Sequence, residues 1–400
     1  MPFLFYIYLT LFCGNSIASF LGMPISQDSF ILALHYRSLP FLLFCYIFAN
    51  FPKFNRQEIL LITISMITLM IASLKERSAM FAVSVNNAIE PVILIALLRY
   101  YKDKYRNVVK SALLLFFIIE CGIAWIEFVF KTFLFADPTS IMDENRVAYM
   151  LDSEMRAFSL HGHPLQNAFV VSILSFFFLS AKAKPMYRYG LFTIGYITLF
   201  AFNTRSSIYL MSAVFTLVLI RDLKKGYIRR SNKLVIVLLV LAIGLLGYLI
   251  QEYHFGSRLV YGISEKDASS NTRFMLVDII LRLPLSDFLW GMNHGISTIT
   301  TKYDFFAIEN SLANFIVCNG AVYTFLWCVL FYKCLETISK RKTRYLQSFI
   351  IFFTLINVNN SLMTDTPIAI IYILALYALD NIGMPYSKKN NSWKTCKKSP

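Results

Sequence analysis

Three observations predict an all-α polytopic integral membrane protein. The 400-residue chain is 57% apolar and only 15% charged, with a mean hydropathy of +0.58, whereas soluble domains carry about a quarter charged residues. Its apolar residues recur in runs of about 17–25, the length a helix needs to cross the hydrocarbon core. Finally, 26 of the 38 Lys and Arg fall in or beside alternate connections between those runs, the asymmetry expected when cytoplasmic loops retain positive charge.

Taken in order, the runs give twelve spans: 2–21, 31–50, 58–74, 79–98, 110–134, 164–181, 189–203, 206–220, 234–250, 307–332, 346–363 and 367–382. The opening MPFLFYIYLTLFCG lacks a basic n-region and reads as an uncleaved span. Spans seven and eight are short, joined by a tight turn at NTRSS. Both termini are expected in the cytoplasm, with a basic cytoplasmic tail at 383–400 and two long outer loops at about 135–163 and 251–306. The whole chain, 1–400, reads as one polytopic domain. The net charge of +15 is then a consequence of topology, and no nucleic-acid partner is expected. Six of the seven cysteines lie in or at the edge of spans and Cys396 in the tail, so no disulfide framework or cysteine metal site is indicated in the outer loops.

Polar residues gather at the outer side. All five histidines, His35, His161, His163, His254 and His294, lie there in this topology. The stretch RAFSLHGHPLQNA leads from Arg156 through His161 and His163 into span six, with Pro164 suited to a first helical turn. Its free N–H groups and the positive end of the helix dipole face outward and suit an anion. Arg156, His161 and His163 either add donors around that anion or serve as a snorkelling arginine and helix-capping histidines.

The device recurs at NTRSS, which puts Arg205 at the outward N-terminus of span eight, as an anion ligand or as a snorkelling residue. In the second long loop, SSNTRFMLVDIILRLPL reads as a short amphipathic helix capped by Ser270 or Asn271 and limited by Pro284. Asp278 and Arg282 are spaced to pair. Arg273, in the expected first turn, opposes the helix dipole and calls for an anionic ligand or an acidic partner. Span ten opens with Glu309 and Asn310, either a helix cap or a functional pair. Glu120 and Glu127 share one face of span five; charges at that depth are functional candidates, or a structural ion pair with Arg37 or Arg77. No His, Asp or Glu set has convincing metal spacing, so no metal is expected.

These segments together resemble the superfamily of O-antigen ligases and Wzy-type repeat-unit polymerases of bacterial envelope polysaccharide synthesis. The resemblance covers about 156–320: RAFSLHGHPLQNA is similar to the family's Arg…His-Pro-Leu entry to a helix, and NTRSSIYL to its Ser-Arg turn. The stretch from Arg273 through PLSDFLWGMNHG resembles its Arg…Gly region, and ENSLANFIVCNG its His-Asn or Glu-Asn segment. The Arg…Gly spacing of some polymerases is not kept. Glu309–Asn310 in place of His-Asn, and the HPL wording, lean toward polymerase over ligase.

The resemblance implies inverting, metal-independent and cofactor-free glycosyl transfer at the periplasmic face of the bacterial inner membrane. Donor and acceptor would be glycans on polyprenyl (undecaprenyl) pyrophosphate, with a chain-length regulator as a further partner beside the bilayer itself. Arg156, Arg205, Arg273, His161 and His163 would hold pyrophosphate. Glu309, or else His163, would act as base, Arg205 would stabilise the leaving group, and His294 and Asn310 would assist. Transfer of finished glycan to lipid A-core, as by the ligase, is the first alternative. A lipid-linked oligosaccharide flippase or other transporter is the second.

Overall fold

The computed structural model describes residues 2–21, 39–74, 84–135, 155–181, 183–224, 268–293, 295–303, 310–339, 342–358, 362 and 367–379. Among them the regular structure is entirely helical. The helices are α1 (Pro2–Phe12), α2 (Asn15–Phe20), α3 (Leu39–Phe48), α4 (Arg56–Leu74), α5 (Glu90–Tyr101), α6 (Arg106–Phe130), α7 (Pro164–Leu179), α8 (Pro185–Ala201), α9 (Arg205–Lys224), α10 (Ala268–Leu281), α11 (Leu285–Trp290), α12 (Gly295–Tyr303), α13 (Ser311–Glu336), α14 (Lys342–Asn357) and α15 (Ile368–Leu379). A π-helical turn, Val85–Ile89, runs directly into α5. Span nine and the basic tail lie outside the described residues.

The chain is an α-helical membrane protein. Helices α6, α9 and α13, of 25, 20 and 26 residues, are each long and apolar enough to cross a bilayer. Large apolar side chains also stand exposed in rows: Ile59, Met66, Ile67 and Met70 on α4, and Leu115, Ile118, Ile126 and Val129 on α6. Water would make such faces costly, whereas lipid does not.

The core is built on two helices that are apolar on every side. Fifteen of the sixteen residues of α7 are buried, and all twelve of α15. A helix hydrophobic all round belongs in the centre of a bundle, and α7 packs against α6, α8, α9, α14 and α15. Its ends explain part of the basic excess. At its C-terminus Arg344 donates to Phe177 O at 2.7 Å and Arg188 Nε donates to Leu179 O at 2.7 Å. Cations there satisfy carbonyls that have no intrahelical partner and oppose the negative end of the dipole. Arg106 does the same for α15, donating to Tyr377 O at 3.0 Å. Arg188 is also ion-paired with Asp222 of α9 at 2.7 Å, both side chains being nearly inaccessible.

Besides the π-turn inside span four, the helices differ from the expected elements at several points. Span one is broken at Cys13–Gly14 into α1 and α2; a Cβ on Gly14 would lie 2.2 Å from Leu160 O, so the glycine admits another backbone there. Spans seven and eight are not short: α8 has 17 residues and α9 has 20, because Arg188 and Asp222 satisfy each other inside the bundle and let both helices run past the apolar cores. Helix α10 begins at Ala268, so Ser270 and Asn271 lie within it rather than at its start. Arg273 is then its sixth residue, beyond the first turn, and the conflict with the dipole lapses. Apolar Met275, Val277 and Leu281 of α10 are exposed while Leu276 and Ile279 are buried, so its apolar surface is not confined to one face. The expected pair forms, with Arg282 Nε donating to Asp278 Oδ1 at 3.0 Å, and the helix ends before Pro284. Finally, α13 starts at Ser311 and bends at Gly320, whose φ of 85° is non-helical.

Candidate functional site

The stretch that leads into α7 is not a loose surface loop. Residues 157–161 are buried, and two glutamates of α6 hold their backbone. Glu127 Oε2 accepts from the amides of Phe158 at 2.7 Å and Ser159 at 2.8 Å, and its Oε1 accepts from Leu134 N at 3.0 Å. One turn pair below, Glu120 Oε2 accepts from Leu160 N at 3.3 Å, while Ser159 Oγ donates to the Glu120 carbonyl at 3.2 Å. Carboxylates seven apart share a helix face, and here that face grips a backbone. Arg37 and Arg77, the expected ion-pair partners, lie outside the described residues.

The grip fixes an unusual conformation. Ser159 has φ 45° and Gly162 has φ 75°. A non-glycine residue in the left-handed region costs energy and persists where its surroundings hold it. Gly162 N donates to Phe158 O at 3.0 Å, and Asn167 Nδ2 of α7 donates to the same carbonyl. The result is a closed turn that delivers the chain to Pro164.

The two histidines take different places. His163 is the N-cap of α7: its Nδ1 accepts from Leu165 N at 3.3 Å, which puts the neutral ring's proton on Nε2. His161 points inward, 1% exposed, with its ring 5.7 Å from that of Phe116 on α6. Of the two expected roles for His163, capping is the one its geometry displays.

Arg156 reaches the turn that carries Arg205. Its Nε donates to Phe202 O at 3.4 Å, and the neighbouring Ala157 N donates to Ala201 O at 3.0 Å. Three residues bridge at most about 10 Å, so the head of Arg156 lies near the start of α9, where Arg205 is the first helical residue. Asn203, at φ 53°, makes the turn. Among the described residues of these segments, the buried polar atoms without a hydrogen-bond partner include Glu120 Oε1, Asn167 Oδ1 and Thr204 Oγ1.

The other two segments also meet each other. Met292 N, beyond α11, donates to Val317 O of α13 at 2.8 Å. The bend at Gly320 lets α11 lie flush on α13, since a Cβ there would stand 2.0 Å from Leu289 O. Asn310 is the N-cap of α13, its Oδ1 accepting from Ala313 N at 2.9 Å. Helix α10, which carries Arg273, packs on α13 as well. Glu309, His294 and the side chain of Arg273 lie outside the described residues. The four segments are thus joined in pairs, Arg156 with the Arg205 turn and 285–292 with α13. No group of three or more His, Cys, Asp and Glu gathers in a metal-like cluster among the described residues.

Sequence reasoning did not anticipate the Glu120–Glu127 grip, the π-turn or the bend in α13. The last has a signal, since Asn319–Gly320 is a turn-forming dipeptide inside an apolar run. The others depend on what packs opposite. No protein-family model matches this chain, and no curated protein or solved structure is significantly similar to it.

Proposed function

We propose that this protein polymerises polyprenyl-pyrophosphate-linked oligosaccharide repeat units by inverting glycosyl transfer at the outer face of the bacterial inner membrane. One observation carries the reading: a buried, carboxylate-held backbone turn presents Arg156 beside the Arg205 turn, next to the N-terminus of α7. The first-turn amides of α7 are already taken by His163, so what suits a diphosphate here is the approach of Arg156 to Arg205 together with the helix dipoles. The leaving group departs with accumulating negative charge, and arginines with helix N-termini stabilise that charge where water is excluded. The unpartnered Asn167 Oδ1 and Thr204 Oγ1 would face sugar hydroxyls, the acceptor hydroxyl needing a base within hydrogen-bond reach. In this scheme Glu309 is the base and Arg273 a further diphosphate ligand. Asn310 contributes by starting α13, and His163 by starting α7.

The decisive experiment uses purified protein in vesicles with a lipid-linked repeat unit. A ladder of longer lipid-linked glycans is expected, and Glu309→Gln should bind the donor without extending it. Absence of any polymer, with glycan instead passed to added lipid A-core, would establish the ligase reaction.

One observation favours transport as the second reading. The π-turn and the bent α13 touch, Trp327 Nε1 donating to Asn87 O at 3.0 Å. Interrupted helices that meet inside a bundle are a transporter device. Movement of a labelled lipid-linked glycan between leaflets without chain growth would support it.

A further inference from the structure

Beside the bend in α13 lies a groove of about 120 Å³, walled by α4 and α13 and roofed by Trp290 of α11. Its lining includes Ile67, Val322 and Leu326, and it opens among the exposed apolar side chains of Ile67, Trp290 and Leu326. Two of its polar side chains are already paired: Thr68 Oγ1 donates to Ile64 O at 2.8 Å, and the Tyr323 hydroxyl is 3.3 Å from Ser65 Oγ. Asn319 is not. It is 5% exposed, lines the groove, and neither its Oδ1 nor its Nδ2 has a partner.

A buried amide with both ends unmade is costly. Water alone is an incomplete remedy, because it would satisfy the amide but leave the aliphatic walls of Ile64, Ile67, Ile71, Val322 and Leu326 uncovered. The occupant must be apolar along most of its length and must bring both an acceptor and a donor to one place. Among the described residues no lining side chain is cationic, so the group facing Asn319 is neutral; a phosphate would find no countercharge there. The space takes a segment of a molecule, with the remainder lying along the lipid-facing surface.

We propose that this groove seats a bilayer glycerolipid with a free hydroxyl, of the diacylglycerol type. Its ester carbonyl accepts from Asn319 Nδ2, its hydroxyl donates to Oδ1, and its acyl chain lies against Ile67 and Leu326. Gly320 builds the site, because its missing side chain lets α11 close down and bring Trp290 over the groove. This assignment is independent of glycosyl transfer.

The test is photolabelling of the full chain in vesicles containing diacylglycerol with a diazirine on one acyl chain, mapped by mass spectrometry. Labelling should concentrate on 64–71 and 322–326 over the exposed Leu115 and Ile118 of α6. Asn319→Leu should reduce it by about fivefold for each hydrogen bond lost, leaving the α6 background unchanged. Should that variant fail to accumulate, Ile67→Trp fills the groove from α4 with Asn319 intact and must give the same loss. Labelling unchanged in the variant that accumulates would overturn the site. Displacement by polyprenyl phosphate more readily than by unlabelled diacylglycerol would overturn the glycerolipid and give the groove to an isoprenoid.

Discussion

Glu127 Oε2 receives the amides of both Phe158 and Ser159, 31 and 32 residues further along the chain, at 2.7 and 2.8 Å. A carboxylate in a helix long and apolar enough to cross a bilayer therefore acts as the anchor of the buried segment that leads into α7. Glu127→Gln keeps the shape but turns one acceptor into a donor facing N–H groups. The expected loss is about 1–3 kcal/mol, the cost of unmade buried hydrogen bonds. It should appear as a lower midpoint when detergent-solubilised protein is heated and scored by size exclusion, with Glu127→Ala lower still. An unchanged midpoint in both variants would deny the anchor.

Arg156 reaches the turn that precedes Arg205, so if the proposed function holds, the effects of the two arginines on diphosphate binding should be coupled. Alanine at either should slow polymerisation about ten- to a hundredfold, as for loss of a charge-assisted contact. Lysine should rescue only partly, because the planar fork is lost. The double variant should fall short of the product of the two single losses. Full multiplicativity in chain-growth rates would place the arginines on separate tasks.

Gly320 is the point of closest approach described between α11 and α13. Alanine there meets both a positive φ and Leu289 O at 2.0 Å. The expected outcome is displacement of α11, read as faster proteolytic cleavage near 285–293 while α7 and its neighbours stay protected. Gly122, with open space around its Cα, should accept alanine without such an effect.

Arg188 and Asp222 form a buried pair, and Asp222 also accepts from the Tyr189 hydroxyl at 3.1 Å. Asp222→Asn leaves a cation buried without its countercharge, which costs about 3–5 kcal/mol. A marked fall in folded yield is expected. Replacing both partners, Arg188→Met with Asp222→Leu, should recover part of it, although Leu179 O then loses its donor. No recovery would mean that capping α7 is the larger role of Arg188.

The charge distribution makes the topology testable. A reporter active only outside the cytoplasm should work when fused after Ser140 or Gly262 and fail after Gly226. Activity at Gly226 would invert the orientation and move the proposed site to the cytoplasm.

The sequence by itself determined the membrane class and the approximate place of many helices among the described residues, because apolar length and proline at helix starts act locally. Pro164 opens α7 and the Asp278–Arg282 pair forms at its spacing for that reason. It could not place what depends on a distant neighbour. The start of α10 moved upstream of every expected cap, and α8 and α9 lengthened through a buried pair 34 residues apart. Glu120 and Glu127 were visible as one costly face, but their partners are backbone amides, which carry no signature in side-chain chemistry. Only the tertiary structure brought Arg156 to the turn before Arg205, since that contact ends on a carbonyl that every residue possesses. The bend at Gly320 was half legible: Asn319–Gly320 marks a break, and the carbonyl of Leu289 lying against it explains why glycine is required.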